Sequence, residues 1–478
     1  MSDQMRNTIR DMVEQIISEY IQQEPPVQPV EQAEAQLPSG LLQDIDQAVD
    51  AAERAQRKLM ELTLEQRKDI IRVMRSAAKE HAEAFSRAAV EETGIGNVDD
   101  KIAKNLLAAE MTPGVEDLES VAYTGDHGLS LVERAPYGVI GAIIPVTNPT
   151  ATVINNSISM IAAGNTVVFN PHPSARGVSS MAISLLHDAA VAAGAPKHLI
   201  TAAAAPTIET AGAMMKHPKI AVLVVTGGPG VVKAAMGSGK KVIAAGPGNP
   251  PCVVDETAHI EKAARDIISG AGFDNNLVCI CEKEVLVVSS IADKLLQEMT
   301  RSGGYLLNDQ QVKQITKLVI EKPGSRGTEG VINKEYVGKS ASFIASRIGL
   351  ELPETVKVLL CDVDESHPLV WTEQLMPVLP VVRLPDVDRC IDLAVDCEHG
   401  FRHTAVMHSL NVEKLSKMAK RMNCSLFVKN GPCYAGLGQG GAGFTSFTIA
   451  SPTGEGLTRA RTFTRERRCT LVDSFRIV

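Results

Sequence analysis

The chain has 478 residues, 44% hydrophobic and 22% charged, with a formal net charge of −8 at pH 7. Such a length supports two or three domains with a large core, and the acidic balance, with no Lys/Arg cluster interleaved with aromatics, argues against a nucleic-acid partner. Nine cysteines lie between Cys252 and Cys469 without paired spacings or a preceding signal peptide, so a reducing, cytoplasmic compartment is expected. The longest apolar run, around Val139 to Val146, falls well short of the ~18 residues of a membrane span.

At the start of the chain, Met5, Ile9, Met12, Val13, Ile16, Ile17 and Tyr20 recur at three- and four-residue spacing, with charged and amide residues between them. This predicts a short amphipathic helix within residues 1–22. Residues 23–40 carry Pro25, Pro26, Pro29 and Pro38 among Gln and Glu, the composition of a flexible linker. A one-striped helix on a tether is expected to dock on a partner. Its polar face carries both signs of charge, unlike a membrane-surface helix.

From Leu41 to Leu118 the periodicity is helical, with Gly94 placed to stop a helix. Leu129 to Glu133 alternates as a strand. Apolar strands are predicted at 138–144, 166–169, 199–203, 220–225 and 241–244, with helical segments between them. The second half repeats the alternation: strands at 284–288, 357–360, 405–408 and 425–428, helices at 258–270, 387–395 and 412–422, and two further helices before Glu321. The fold class is therefore α/β, with a mostly parallel sheet covered on both faces and ligands at the carboxyl ends of its strands. Gly-rich residues 435–443 and a basic, strand-like tail from Arg465 close the chain.

Several candidate sites stand at element boundaries. In Phe273-Asp-Asn-Asn-Leu-Val-Cys279, small and polar residues end in a cysteine just ahead of an apolar strand. A thiolate there can attack a carbonyl carbon, and nearby backbone N–H groups can hold the resulting oxyanion. Thr147-Asn148-Pro149 follows the first strand, so Asn148 can donate an amide N–H to an oxyanion. His172 and Pro173 follow the next strand, where a cofactor ribose can lie. Thr226-Gly227-Gly228 follows the fourth and runs into a helix whose N–H groups can hold a pyrophosphate. Met236 to Lys241 mimics a phosphate loop but lacks its first glycine and the Ser/Thr after lysine. Gly436 to Gly441 opens no βαβ unit. Cys279 and Cys281 have no second ligand pair, so no metal site is expected.

Together, Arg134-Ala-Pro-Tyr-Gly-Val-Ile-Gly141, the Thr147-Asn148-Pro149 turn, the Thr226-Gly227-Gly228 loop, Phe273 to Cys279, Glu373-Gln-Leu-Met-Pro377 and Lys429-Asn-Gly-Pro432 resemble the aldehyde dehydrogenase superfamily. The closer likeness is to its CoA-acylating branch, in particular the propionaldehyde and acetaldehyde dehydrogenases of bacterial microcompartments. The resemblance implies a Rossmann-type NAD-binding domain over residues 41–248, with an oligomerisation strand near 123–135. It also implies a catalytic domain over 249–433, and a return to the cofactor domain with an oligomerising tail over 434–478. By motif, Cys279 resembles the nucleophile, Asn148 the oxyanion donor, Glu373 the ligand of the nicotinamide ribose, and Thr226 to Gly228 the pyrophosphate loop; Cys281 lies outside the motif.

Hydrolytic members carry a water-activating Glu where this chain reads Ala245-Gly-Pro-Gly-Asn-Pro-Pro251. Without a general base, water attack on a thioacyl enzyme loses roughly 10²- to 10⁴-fold, whereas a thiol supplies its own thiolate. CoA is therefore the expected acyl acceptor, and a hydrolytic enzyme the alternative. At the adenine ribose, the family's Lys-Pro-x-Glu reads His172-Pro173-Ser174-Ala175, so NAD is favoured only modestly over NADP. The amphipathic helix resembles the encapsulation peptides that dock enzymes to microcompartment shell proteins. A homodimer or homotetramer is implied.

Overall fold

The computed structural model describes residues 37–478; the expected helix of residues 1–22 and all but the last few residues of the expected linker lie outside the described residues. Two parallel sheets dominate. The first has six strands in the spatial order Leu41–Leu42, Ile200–Ala203, Thr166–Pro171, Val139–Ile144, Ile220–Thr226 and Lys241–Ala245. The second has seven, ordered Gly304–Leu306, Val358–Val363, Val378–Leu384, Glu284–Val288, Pro251–Val254, Thr404–His408 and Leu426–Lys429. The first sheet draws on residues 41–245 and the second on 251–429, joined by Gly246 to Pro250.

The inner strands read as unbroken apolar runs because both faces are covered, as parallel sheets require. Val139–Ile144, Thr166–Pro171 and Glu284–Val288 are buried at every position. Two central strands, Pro251–Val254 and Val378–Leu384, were not predicted. The first is only four residues long and opens on proline, which removes the usual cues. Within the predicted helical stretch Leu41 to Leu118, the helices Leu64–Glu80 and Ala82–Thr93 are parted at His81, and Gly94, at φ 68°, ends the second as expected.

A three-stranded antiparallel sheet, Val121–Gly125, Gly128–Pro136 and Thr464–Val472, stands apart from both parallel sheets and contains the predicted strand at Leu129. Tyr123, Leu471 and Val472 on it are exposed.

The helix Pro149–Ala162 is buried along its whole length and ties the first sheet to the C-terminal segment. Asn155 donates to Thr112 and accepts from the Phe447 N–H, and Asn156 accepts from Thr448. Just beyond it, fully buried Asn165 serves four backbone groups. Its oxygen accepts from the N–H groups of Tyr137 (2.7 Å) and Gly138 (3.0 Å), and its nitrogen donates to the carbonyls of Met160 (3.3 Å) and Phe463 (2.8 Å). Asn165→Ala removes the side-chain partner of the Tyr137 and Gly138 N–H groups and of the Phe463 carbonyl, while the Met160 carbonyl keeps its 2.9 Å bond from the backbone N–H of residue 165, and is expected to lower unfolding free energy by about 3 kcal/mol. Chemical denaturation checks this, and a loss below about 1 kcal/mol would contradict it.

Candidate active site

Three of the expected segments follow adjacent strands. His172-Pro173 follows Thr166–Pro171, Thr147-Asn148 follows Val139–Ile144, and Thr226-Gly227-Gly228 ends Ile220–Thr226. Because these strands neighbour one another in parallel register, their carboxyl ends form one edge. The helix Pro229–Met236 starts there, with Pro229 in its first turn and no side chain capping it. The first N–H groups of a helix have no intrahelical partner, and Gly228 and Gly230 have nothing within 4 Å of the space a Cβ would fill, so a ligand can approach this turn closely. By contrast, the helix Arg176–Ala192 has its Gly177 and Val178 N–H groups already taken by the Glu92 carboxylate at 2.8 and 2.7 Å. Of these two helix starts, the one after Thr226 to Gly228 therefore fits a pyrophosphate. Thr226 itself shares a 2.8 Å hydrogen bond with the Thr448 hydroxyl. His172 accepts from the Ser174 N–H, and burial lowers its basicity.

Cys279 lies in the turn between the segment Phe273–Asn276 and the strand Glu284–Val288, half-buried. The turn is held in an unusual backbone conformation: Asp274, Asn275 and Asn276 all have positive φ, at 48°, 56° and 61°. Each pays for this with side-chain bonds. Asp274 accepts from the Asn97 N–H (2.8 Å), Lys101 Nζ (3.0 Å) and Lys104 Nζ, Asn275 donates to the Gly338 carbonyl (2.9 Å), and Asn276 donates to the Ala271 and Glu282 carbonyls. Fully buried Lys283 donates to the Asn276 carbonyl at 2.8 Å.

The segment Ala245 to Pro251 packs directly on this turn. A Cβ on Gly248 would stand 2.9 Å from the Cys279 carbonyl oxygen and 3.0 Å from Cγ of buried His403, so only glycine fits. The Gly248 N–H donates to Glu373 Oε1 at 3.3 Å, which leaves Oε2 available for ribose hydroxyls. Burial raises the Glu373 carboxyl to about 7. It also raises the Cys279 thiol to about 12, with the Glu373 carboxylate adding to the rise and Lys283 opposing it. At rest Cys279 is therefore a thiol.

Asn148 meets the same lysine of the helix Val98–Met111 as that turn does. Its Oδ1 accepts from Lys104 Nζ at 2.6 Å and its Nδ2 donates to Thr147 Oγ1 at 3.2 Å, while Lys101 Nζ approaches the Thr147 carbonyl at 3.5 Å. Asp274 thus joins the two halves of the expected site, being bonded to the lysine that holds Asn148 and lying five residues before Cys279. Burial and the neighbouring Lys104 bring Lys101 down to about 8. Sequence reasoning missed Lys101, Lys104, Asp274, Lys283 and His403. Among the described residues, no group of three or more His, Cys, Asp or Glu is arranged to hold a metal ion, and no helix is long and apolar enough to cross a membrane.

A parallel dinucleotide-type sheet, a second α/β sheet carrying a half-buried thiol, and a carboxylate and a glycine loop beside them define an oxidoreductase-type architecture. Residues 18–447 match the aldehyde dehydrogenase family, and the chain belongs to it. It is 50% identical to the acetylating acetaldehyde dehydrogenase EutE of Salmonella typhimurium over 440 residues, 92% of this chain and 94% of that protein. Among solved structures it is similar to the propionaldehyde dehydrogenase of Rhodopseudomonas palustris with bound CoA and an acylated cysteine (49% identity, TM-score 0.89, 92% of this chain and 99% of that one). An engineered glycolyl-CoA reductase with bound NADP+ is 48% identical, with a TM-score of 0.89 over 93% of this chain and all of that one. A propionaldehyde dehydrogenase of the Clostridium phytofermentans fucose utilisation microcompartment is 46% identical, with a TM-score of 0.89 over 92% of this chain and all of that one.

The Glu373 carboxylate forms as pH rises through about 7, so its repulsion of the Cys279 thiolate is present above that pH and fades below it. Glu373→Gln is expected to speed alkylation of Cys279 by iodoacetamide by roughly 3- to 10-fold at pH 8.5 and by less at pH 6.5. The rate is read from the modified Cys279 peptide by mass spectrometry; equal rates at pH 8.5 would show that the charge is not felt at the sulfur.

Proposed function

We propose that the chain oxidises a short aliphatic aldehyde, propionaldehyde or acetaldehyde, to its acyl-CoA. Residues 41–248 would bind the nicotinamide cofactor, 249–433 carry the nucleophile, and 434–478 return to the cofactor domain and the oligomerising sheet. The observation that carries this reading is the Gly248 segment, which is closed against Cys279 and contains no carboxylate to activate water. The relatives named as acetylating, and the relative bound to CoA with an acylated cysteine, support it.

In this reading the Cys279 thiol loses its proton and attacks the carbonyl carbon, and the carbonyl electron pair moves onto oxygen. The Asn148 amide and a backbone N–H donate to that oxyanion. A nicotinamide held by these residues would supply the acceptor for the hydride that the thiohemiacetal carbon must lose to become a thioester. CoA thiolate then attacks the thioester carbon and Cys279 leaves as thiolate. One thioester replaces another, so the step is reversible. Glu373 orients the nicotinamide ribose, Thr226, Gly227 and Gly228 hold the pyrophosphate, Thr147 lines the cofactor site beside Asn148, and His172 and Pro173 lie beside the adenine ribose. NAD is the expected cofactor, with NADP the alternative; a relative binds NADP+.

Turnover of propionaldehyde with NAD is expected to require CoA and to yield propionyl-CoA, falling by roughly 10²-fold or more when CoA is withheld. Cys279→Ala should abolish it. NADH formation and thioester analysis read both outcomes, and equal turnover without CoA, giving propionate, would favour the hydrolytic alternative.

Residues 1–22 are read as a docking helix for a shell protein, which would place the enzyme in a cytoplasmic microcompartment, as for the C. phytofermentans relative. The exposed Tyr123, Leu471 and Val472 support association of copies through the three-stranded sheet. Deleting residues 1–22 should leave turnover within about twofold and abolish co-sedimentation with shell proteins. Loss of turnover would mean that the segment belongs to the catalytic fold.

A further inference from the structure

The residue at the start of a helix usually spends its side chain on the helix. An Asn in that position accepts from the second or third N–H and stabilises the helix by about 1 kcal/mol. Asn148 occupies that position before Pro149–Ala162, yet its side chain makes no capping bond, and its oxygen faces Lys104 at 2.6 Å instead. A local preference given up at one residue, with nothing gained by the helix, marks a position held for another purpose.

Lysine has three donors and no acceptor, so the atom against Lys104 Nζ must be the amide oxygen. The nitrogen is therefore turned the other way. One of its hydrogens goes to Thr147 Oγ1, and the second has no protein acceptor among the described residues. The ammonium is 3% exposed, so its field is little screened, and it polarises the amide to which it is bonded. Nor is Lys104 needed simply to neutralise Asp274. Lys101 already pairs with that carboxylate at 3.0 Å and the Asn97 N–H occupies its other oxygen.

We infer that Lys104 is a positioning residue for acyl transfer: it fixes the Asn148 amide with its nitrogen as the donor and strengthens that donor. The inference rests on Asn148 being the oxyanion donor. Lys104 touches no substrate in this account; it acts through Asn148, and its bond to Asp274 keeps the amide in register with the turn that carries Cys279.

A double-variant cycle on kcat/KM for propionaldehyde, read as NADH formation at saturating NAD and CoA, tests it. Asn148→Ala is expected to lose roughly 10²- to 10³-fold. Lys104→Met should lose roughly 10- to 100-fold, and Lys104→Gln less, since its neutral amide still donates to Oδ1. Added to Asn148→Ala, Lys104→Met should cost less than about threefold more, because the group it acts through is gone. Losses that multiply in the double variant would overturn the inference and place the effect of Lys104 in the Asp274 turn. If Lys104→Met does not fold, the same comparison with Lys104→Gln decides between these outcomes. Full turnover by Asn148→Ala would instead overturn the assignment of Asn148 itself, a result distinct from multiplied losses.

Discussion

The buried carboxylate of Asp274, held between Lys101 and Lys104, is the interaction on which the rest of the site depends. Both lysines project from the helix Val98–Met111 in the first half of the chain, and Asp274 belongs to the turn that feeds the second sheet. Three consecutive left-handed residues cost roughly 1–2 kcal/mol each unless their side chains are bonded. Asp274, Asn275 and Asn276 are all short polar residues that can bond locally, and all three do so. The lysine helix therefore braces the turn at Asp274, while Asn275 and Asn276 are held from Gly338, Ala271 and Glu282. Removing Asp274 would leave two buried lysines without their counter-charge, typically a loss of about 3–5 kcal/mol, whereas removing either lysine leaves the carboxylate paired with the other. The three groups therefore act as a clasp between the Cys279 turn and Asn148.

Electrostatics at the sulfur run the other way. Burial and Glu373 hold the thiol protonated, near 12, and Lys283 only partly offsets them. A thiol in that state resists alkylation and oxidation, which follow thiolate character. Its companions are guarded similarly: Cys281, two residues on, is fully buried with its sulfur directed at the Phe273 carbonyl. The cost is that some event must ionise Cys279 before it can attack. Glu373, near 7, is the adjacent group whose own charge changes close to neutrality.

Much of the fold was legible in the sequence because its inner strands are long enough to show as apolar runs between turn signals; Glu284–Val288 and the helix Val412–Met422 lie where the pattern puts them. Pro251–Val254 was not legible, since four buried residues after Gly-Asn-Pro look like the end of a loop. The site divided along similar lines. Cys279, Asn148 and the Thr226 to Gly228 loop stand at element boundaries, where composition changes abruptly. Lys101 and Lys104 lie mid-helix at a three-residue spacing beside Asp99 and Asp100, and such a stripe ordinarily faces water. Here it faces inward, and Lys101 and Lys104 are 4% and 3% exposed. Only Asp274, 170 residues or more further on, explains the burial, and nothing local announces a contact of that range.

The Gly248 segment shows why the missing carboxylate is more than a substitution at one position. Its backbone is pressed so closely on the Cys279 carbonyl that a methyl group at Gly248 would lie 2.9 Å from that oxygen, and the Gly248 N–H is turned to Glu373. A water-activating base needs a side chain with room beside the thioester and a path to water. At Gly248 the segment has neither, because close packing against the nucleophile turn has taken the space. In the proposed reaction a thiol co-substrate asks for less, because its own ionisation supplies the nucleophile. The packing that excludes a base at Gly248 thus leaves intact everything that thiolysis requires of this turn.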